Sequence, residues 1–310
     1  MIKGNQSLMT EFILVGLSHY PQAQTAFFWV VLIVYIVTLV GNSLIMLLIV
    51  VDHQLHTPMY FFLSNLSFLD ICYSTSSVPQ IMANCFRERP TISYSRCLAQ
   101  SYISLCLGIT ECLLLAVMAY DRFVAICNPL HYTVIMRGKV CIQLAVASWA
   151  ISFFLTLAQV VIRPKRLCGH SVINHFTCEL QTLLKLACSD THINEMIMLV
   201  TSLLVLVVPF VFILATYMRI SLAVLHIHSA QGRTKAFSTC GSHLTVVTIF
   251  YGTAMFMYLQ PQSKSTLDQD KLIAVFYGVV TPMLNPLIYS LRNKDVQGAV
   301  RRTITRTVLV

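Results

Sequence analysis

Read for polarity alone, the chain alternates long apolar runs with short polar breaks. Runs of about 20 residues, enough to cross a hydrocarbon core of about 30 Å as a helix, fall near 26–51, 58–82, 98–120, 140–162, 196–218, 236–260 and 272–291. Backbone polar groups must be satisfied inside lipid, so uncharged runs of this length are helices rather than loops or open strands. A barrel is excluded because its strands would alternate polar and apolar positions over about ten residues. The pattern predicts an all-α bundle of seven membrane-spanning helices over 26–291, preceded by a segment 1–25 and followed by a short tail 292–310.

Composition agrees. The 310 residues are 56% hydrophobic and 11% charged, with a mean hydropathy of +0.73, well outside the range of a soluble domain of this length. The N-terminus lacks a compact basic and apolar block followed by a small-residue cleavage site, so the first run is expected to act as an uncleaved signal anchor. Seven spans put the termini on opposite sides. With the C-terminus cytoplasmic, eleven of the 21 Lys and Arg residues lie inside and ten outside. Four of the outer ten (Arg163, Lys165, Arg166 and Lys185) sit in or beside one long loop, which weighs less in the positive-inside rule, and setting them aside leaves eleven to six.

Two further marks favour an extracellular N-terminus. Asn5-Gln6-Ser7 is a glycosylation sequon usable only on the lumenal side, whereas Asn65-Leu66-Ser67 also fits but falls inside the second run. Cys97 opens the third run, and Cys168, Cys178 and Cys188 recur in the long loop between runs four and five. Four cysteines on the oxidising side predict two disulfides, with three pairings open. Cys72, Cys106, Cys112, Cys127, Cys141 and Cys240 lie in or beside the spans and read as small apolar side chains.

The net charge of +9 does not point to nucleic acid, because the inner bases are spread over short loops and the tail. The tail RNKDVQGAVRRTITR reads instead as a short amphipathic helix lying on anionic membrane lipid.

Within the spans, the informative residues are the polar ones. Asn42, Asp70, Glu111 and Asn285 stand in apolar surroundings, where an ionisable group costs about 3 kcal/mol on insertion scales and marks a functional site. Asp70 and Glu111 therefore need partners such as Asn42, Ser67 or Asn285, or a hydrated pocket holding a cation such as sodium. Pro286 follows Asn285 and weakens the ladder of the last span, with Tyr289 one turn further in, so this half of the bundle is suited to two alternative packings. Asp121 and Arg122 close the third run at its cytoplasmic end, where a long Arg reaches the interface or a partner protein. An enzyme would need a convergent nucleophile, base and orienting group, but the acids of the spans lie near Asn and Ser rather than a histidine. A transporter also buries acids and breaks helices with proline. The chain shows no internal repeat to support that reading.

Longer strings identify the family. The order of Asn42, Asp70, Asp121-Arg122, Trp149, Pro209 and NPLIY resembles the rhodopsin-like G-protein-coupled receptors. LHTPMYFFLSNLSFLD (55–70), MAYDRFVAIC (118–127), KAFSTCGSHL (235–244) and PMLNPLIYSLRN (282–293) resemble the signature set of vertebrate olfactory receptors. The resemblance implies a receptor of the cell membrane, not an enzyme. It would be activated by a small volatile odorant and coupled to a heterotrimeric G protein of the stimulatory, olfactory class, raising cyclic AMP. It implies disulfides Cys97–Cys178 and Cys168–Cys188. It also implies that Arg122 is held by Asp121 at rest, with Tyr217, Asn285, Pro286 and Tyr289 as further parts of the switch.

Two departures bear on that switch. Phe123 replaces the usual tyrosine after Asp-Arg, and Arg233 and Lys235 stand where many such receptors place an acid to hold the arginine. Like charges repel, so Asp121 is left as the main counter-ion, with Tyr217 and His243 as neutral contacts. By helical spacing, Ser104, Leu105, Gly108, Ile109 and Cys112 form one stripe of the third span. By resemblance this stripe faces the odorant, with Met198, Thr201, Ser202 and Val205 of the fifth span and Tyr251, Ala254, Met255 and Tyr258 of the sixth. Tyr251 occupies a place where many relatives carry tryptophan. These side chains are uncharged, which predicts a neutral ligand. His175 and Glu179 flank Cys178 and would serve as metal ligands only weakly once that cysteine is in a disulfide.

Overall fold

The computed structural model describes residues 11–17, 21–162, 171–188, 190–225, 230–259 and 267–308. Seven long helices pack as a bundle: α1 (Pro21–Val51), α2 (Pro58–Asn84), α3 (Tyr94–Cys127), α4 (Gly138–Ile162), α5 (His192–Leu225), α6 (Ala230–Leu259) and α7 (267–292). An eighth, α8 (Lys294–Val308), follows the bundle. Six of the seven are long and apolar enough to cross a membrane by composition; α2 is the one that is not. Its polar positions explain why. Ser67, Asp70, Ser74 and Ser77 are buried against neighbouring helices, so α2 needs less apolar surface than a lipid-facing helix.

Several helices outrun the apolar runs that predict them. At 34 residues each, α3 and α5 are about 50 Å long at 1.5 Å per residue, well beyond a hydrocarbon core of about 30 Å. The excess carries the Asp121-Arg122 pair at the inner end of α3 and His192 to Glu195 at the outer end of α5.

Proline shapes two spans in the same way. In α5 a widened five-residue turn, Leu203–Val207, sends the Val208 N–H to the Leu203 carbonyl, and Pro209 follows. In α7 the turn Phe276–Val280 sends the Thr281 N–H to the Phe276 carbonyl, and Pro282 follows. A proline ring clashes with the carbonyl four residues back, and inserting one residue into the preceding turn relieves that clash. Deeper in α7, Pro286 supplies no N–H for the carbonyl of Pro282. Asn42 of α1 supplies one instead, its Nδ2 lying 3.1 Å from that oxygen. Gly41 beside it leaves room for the ring: a Cβ there would sit 3.1 Å from Pro286 Cγ.

Over the outer end lies a small sheet absent from the predicted elements. Strand β1 (Glu11–Leu14) runs antiparallel to β2 (Thr91–Ser93) and parallel to β3 (Val172–Ile173). Phe12 and Leu14 point inward, fully buried with Ile92, Ile173 and Leu183 around the disulfide that joins Cys97 to Cys178. Gly16 then turns with φ +49°, a left-handed conformation that glycine adopts without strain, and its carbonyl accepts from Lys271 Nζ of α7 at 3.2 Å. Four residues were too short a stretch to stand out as a strand, since their partners come from two distant loops.

The inner end is tied as well. Arg302 of α8 donates through Nε (2.9 Å) and Nη2 (2.6 Å) to Asp52 in the first inner loop, and the Tyr60 hydroxyl donates to Asn293 and Asp295 at 3.3 Å each. Val296 and Ala299 bury the apolar side of α8.

Gly41→Val would drive a branched side chain into Pro286. Overpacking of this kind costs about 1–3 kcal/mol, so the purified receptor should melt several degrees below wild type in a thermal-unfolding assay, and an unchanged melting temperature would show that α1 and α7 do not meet as described.

Candidate functional site

Below the outer sheet a cavity opens between α2, α3, α4, α5, α6, α7 and the loop after α4. The α3 stripe Ser104, Leu105, Gly108, Ile109 and Cys112 lines one wall, Met198, Thr201, Ser202 and Val205 of α5 another, and Ala254 and Tyr258 of α6 a third. Eleven of the thirteen residues predicted for the ligand thus share one cavity. Gly108 is what lets the far wall approach: a Cβ there would sit 2.9 Å from the Tyr277 hydroxyl.

Tyr251 and Met255 are not on the lining. Tyr251 is fully buried underneath, donating its hydroxyl to the Cys112 carbonyl at 2.8 Å and packing against Phe210 and Phe250. It forms the floor that joins α6 to α3. Met255 packs against the core at the edge of the α6 stripe, because Tyr251, Ala254 and Tyr258 follow the inward face more closely than a residue four past Tyr251.

Other lining residues come from elements without a readable stripe. Tyr73 and Ser77 of α2, Gln159 of α4 and Tyr277 of α7 face the cavity, as do Thr177, Glu179 and Gln181 of the loop. The sequence hides them because α2 and α4 are nearly uniform in polarity around their axes. Glu179 corrects the expectation of an uncharged lining. Its sequence signal was its position beside Cys178, whose disulfide pins the loop over α3.

In the middle of the bundle, Asn285 Nδ2 donates to both oxygens of Asp70 (3.1 and 3.0 Å) and reaches Glu111 Oε1 at 3.4 Å. All three residues are buried. Asn42 does not join them directly, since its Nδ2 serves the carbonyls of Thr38 and Pro282. Its Oδ1 and the Tyr289 hydroxyl are buried without a hydrogen-bond partner. Among the described residues no cluster of three or more His, Cys, Asp or Glu could hold a metal ion.

At the inner end of α3, Asp121 accepts from Arg122 Nε at 3.0 Å and also from its Nη2. Tyr132 in the second inner loop donates to the other oxygen of Asp121 at 2.7 Å. Burial and the Asp121 charge push the Tyr132 hydroxyl above its ordinary pKa, so it stays a donor. This contact was not anticipated, because Phe123 removes the neighbouring hydroxyl and Tyr132 lies eleven residues away. The Tyr217 hydroxyl is engaged with His243 Nδ1 at 2.7 Å. The side chains of Arg233 and Lys235 lie outside the described residues, as do Asn5 and Cys168. Cys188 is disulfide-bonded. His175 Nε2 and Glu179 Oε1 are 3.9 Å apart, and the sulfur between them in sequence is committed to Cys97.

Replacing Asn285 by Ala removes the donor that Asp70 and Glu111 share. An unsatisfied buried acceptor costs about 1–3 kcal/mol, so the melting temperature of the purified receptor should fall by several degrees. A second change, Asp70→Asn, should recover part of the loss, whereas additive losses would mean that the three groups do not act together.

Comparison with known proteins identifies the family. A family model described as "Olfactory receptor" matches residues 31–307. Human "Olfactory receptor 13H1" is 56% identical over 99% of this chain and 99% of its own. Human "Olfactory receptor 13D1" is 52% identical over 97% of this chain and 88% of its own. Coverage of this extent leaves no span, cavity wall or inner contact outside the match, and the chain belongs to the olfactory receptor family of odorant-sensing, multi-pass receptors of the cell membrane.

Proposed function

We propose that the outer cavity binds a small, largely apolar, neutral volatile molecule and that binding promotes nucleotide exchange on a stimulatory, olfactory-type G-protein α-subunit, raising cyclic AMP. The observation that carries this reading is the chain of contacts along α3. The cavity wall from Ser104 to Cys112, the Cys112 carbonyl that holds Tyr251, the Glu111 carboxylate that Asn285 reaches and the Asp121-Arg122 pair all lie along α3, so a ligand that shifts α6 against α3 acts on the inner end.

Burial drives ligand binding. Leu105, Ile109, Val205 and Ala254 offer apolar contact, each buried methylene contributes about 0.8 kcal/mol, and a hydroxyl or carbonyl met by Ser104, Thr201, Ser202 or Tyr258 adds about 1 kcal/mol and orientation. Ligand affinity of this origin is modest and tolerant.

The inner face supports coupling. Leu130 is 90% exposed and Val134 70% exposed on the loop that carries Tyr132, an apolar pair beside the Asp121 network that a partner protein can cover. Arg122 would leave Asp121 to meet the α-subunit once α6 moves. Asp70 and Glu111, with Asn285, would be the residues to hold a sodium ion, whose charge would offset those of the two buried acids. α8, clamped by Asp52, would lie on cytoplasmic lipid.

Arg122→Ala should abolish odorant-dependent cyclic AMP in a cell reporter while surface staining and ligand-induced thermal stabilisation persist. A variant that signals at wild-type strength would refute the role given to Arg122.

A further inference from the structure

We propose that Glu179 anchors the polar end of the ligand and makes the receptor selective for small molecules that carry a hydrogen-bond donor, primary alcohols in particular, over matched aldehydes and carboxylic acids; this rests on the ligand site proposed above and names its preferred chemistry. Among the described residues that line the main cavity, Glu179 is the only one with a formal charge. A carboxylate accepts hydrogen bonds and donates none, so an alcohol can pair with it, an aldehyde cannot, and a carboxylate ligand is repelled.

The position of Glu179 is built rather than incidental. The residue before it is locked to α3 by the Cys97–Cys178 disulfide. Gln100 of α3 fixes the same point twice, accepting from the Cys178 N–H at 2.9 Å and donating to the Ser76 carbonyl of α2 at 3.1 Å. The Glu179 backbone is held in turn by Thr182, which accepts from its N–H at 3.2 Å and donates to its carbonyl at 2.7 Å, as the first turn of the short helix Leu180–Lys185 begins. A backbone fixed in this way holds Glu179 where it lines both chambers, with little backbone entropy left to lose on binding.

Charge is also sorted across this point. A second, outer chamber shares Glu179 and Gln181 with the main cavity and adds His175 and Lys185, which do not line the inner one. Glu179 and Gln181 are therefore the partition. The two basic side chains stay on the outer side, His175 with Nε2 at 3.9 Å from the Glu179 carboxylate, and the inner chamber sees the acid alone. The gradient from a mixed-charge antechamber to an acceptor above an apolar chamber admits a donor head group last, with its hydrocarbon tail directed toward the Tyr251 floor.

The test uses medium-chain primary alcohols with aldehydes and carboxylic acids of equal chain length, read as ligand-induced thermal stabilisation of the purified full-length receptor and as cyclic AMP in cells. Wild type should bind the alcohol at least about tenfold more tightly than the aldehyde and the acid most weakly. Glu179→Gln should erase most of the alcohol's advantage and raise acid binding while leaving aldehyde binding nearly unchanged. Glu179→Asp, which keeps the charge, should retain the order of preference and serves if the Gln variant does not reach the membrane. An unchanged alcohol-to-aldehyde ratio in Glu179→Gln, or acids binding wild type as well as alcohols, would overturn the proposal. Alcohol-selective stabilisation without cyclic AMP would sustain it and refute the coupling reading; no stabilisation of wild type by any member of the series would overturn both the anchor and the ligand site.

Discussion

The amide of Asn285, donating to Asp70 and Glu111 at once, is the contact around which the bundle is organised. Hydrocarbon offers no water to a buried carboxylate, so each acid has to be matched within the protein. One side chain on α7 does this for α2 and α3 together. That requirement brings three helices to one depth. Pro286 next to Asn285 strips the Pro282 carbonyl of its partner, and Asn42 restores one from α1, so a fourth helix is drawn into the same layer. Gly41 is small where it is because the proline ring needs the space.

A centre of this kind is stable only in arrangements that satisfy it, so a rearrangement that leaves it intact has to take place around it. At the same depth, since Cys112 follows Glu111, α6 rests on α3 through Tyr251 and the Cys112 carbonyl, under the cavity. Below it, Asp121 holds Arg122 and Tyr132, and Tyr217 reaches α6 at His243. Among the described residues, α6 is hydrogen-bonded to α3 at Tyr251 and to α5 at His243. Displacing α6 therefore costs one buried hydrogen bond at the floor and one at His243, of order 1 kcal/mol each, a cost that a modest apolar ligand can offset.

Most of this was legible in the sequence. Apolar runs long enough to span a membrane have few alternatives, and an ionisable residue inside one stands out, so the seven helices and the Asp70, Glu111 and Asn285 group could be read directly. The α3 stripe was readable because its spacing of three and four residues is helical. Three features were not. Strand β1 is four residues long, and its partners are distant in sequence. The α2 and α7 walls of the cavity were hidden because residues such as Tyr73 and Tyr277 are apolar over most of their surface and read as core. Glu179 and Tyr132 sit in loops, where periodicity carries no information and only the disulfide and the Asp121 carboxylate give them a place.

If the bundle pivots about the Asn285 layer, ligand in the outer cavity must move the inner end of α6 away from α3. Spin labels carried by unnatural amino acids at those two inner ends, in receptor reconstituted into nanodiscs, measure that separation with and without a saturating medium-chain alcohol. The distance distribution should shift to longer values on adding the alcohol, with the α1–α7 separation unchanged; an unaltered α3–α6 distance in receptor that nonetheless stimulates nucleotide exchange would contradict it.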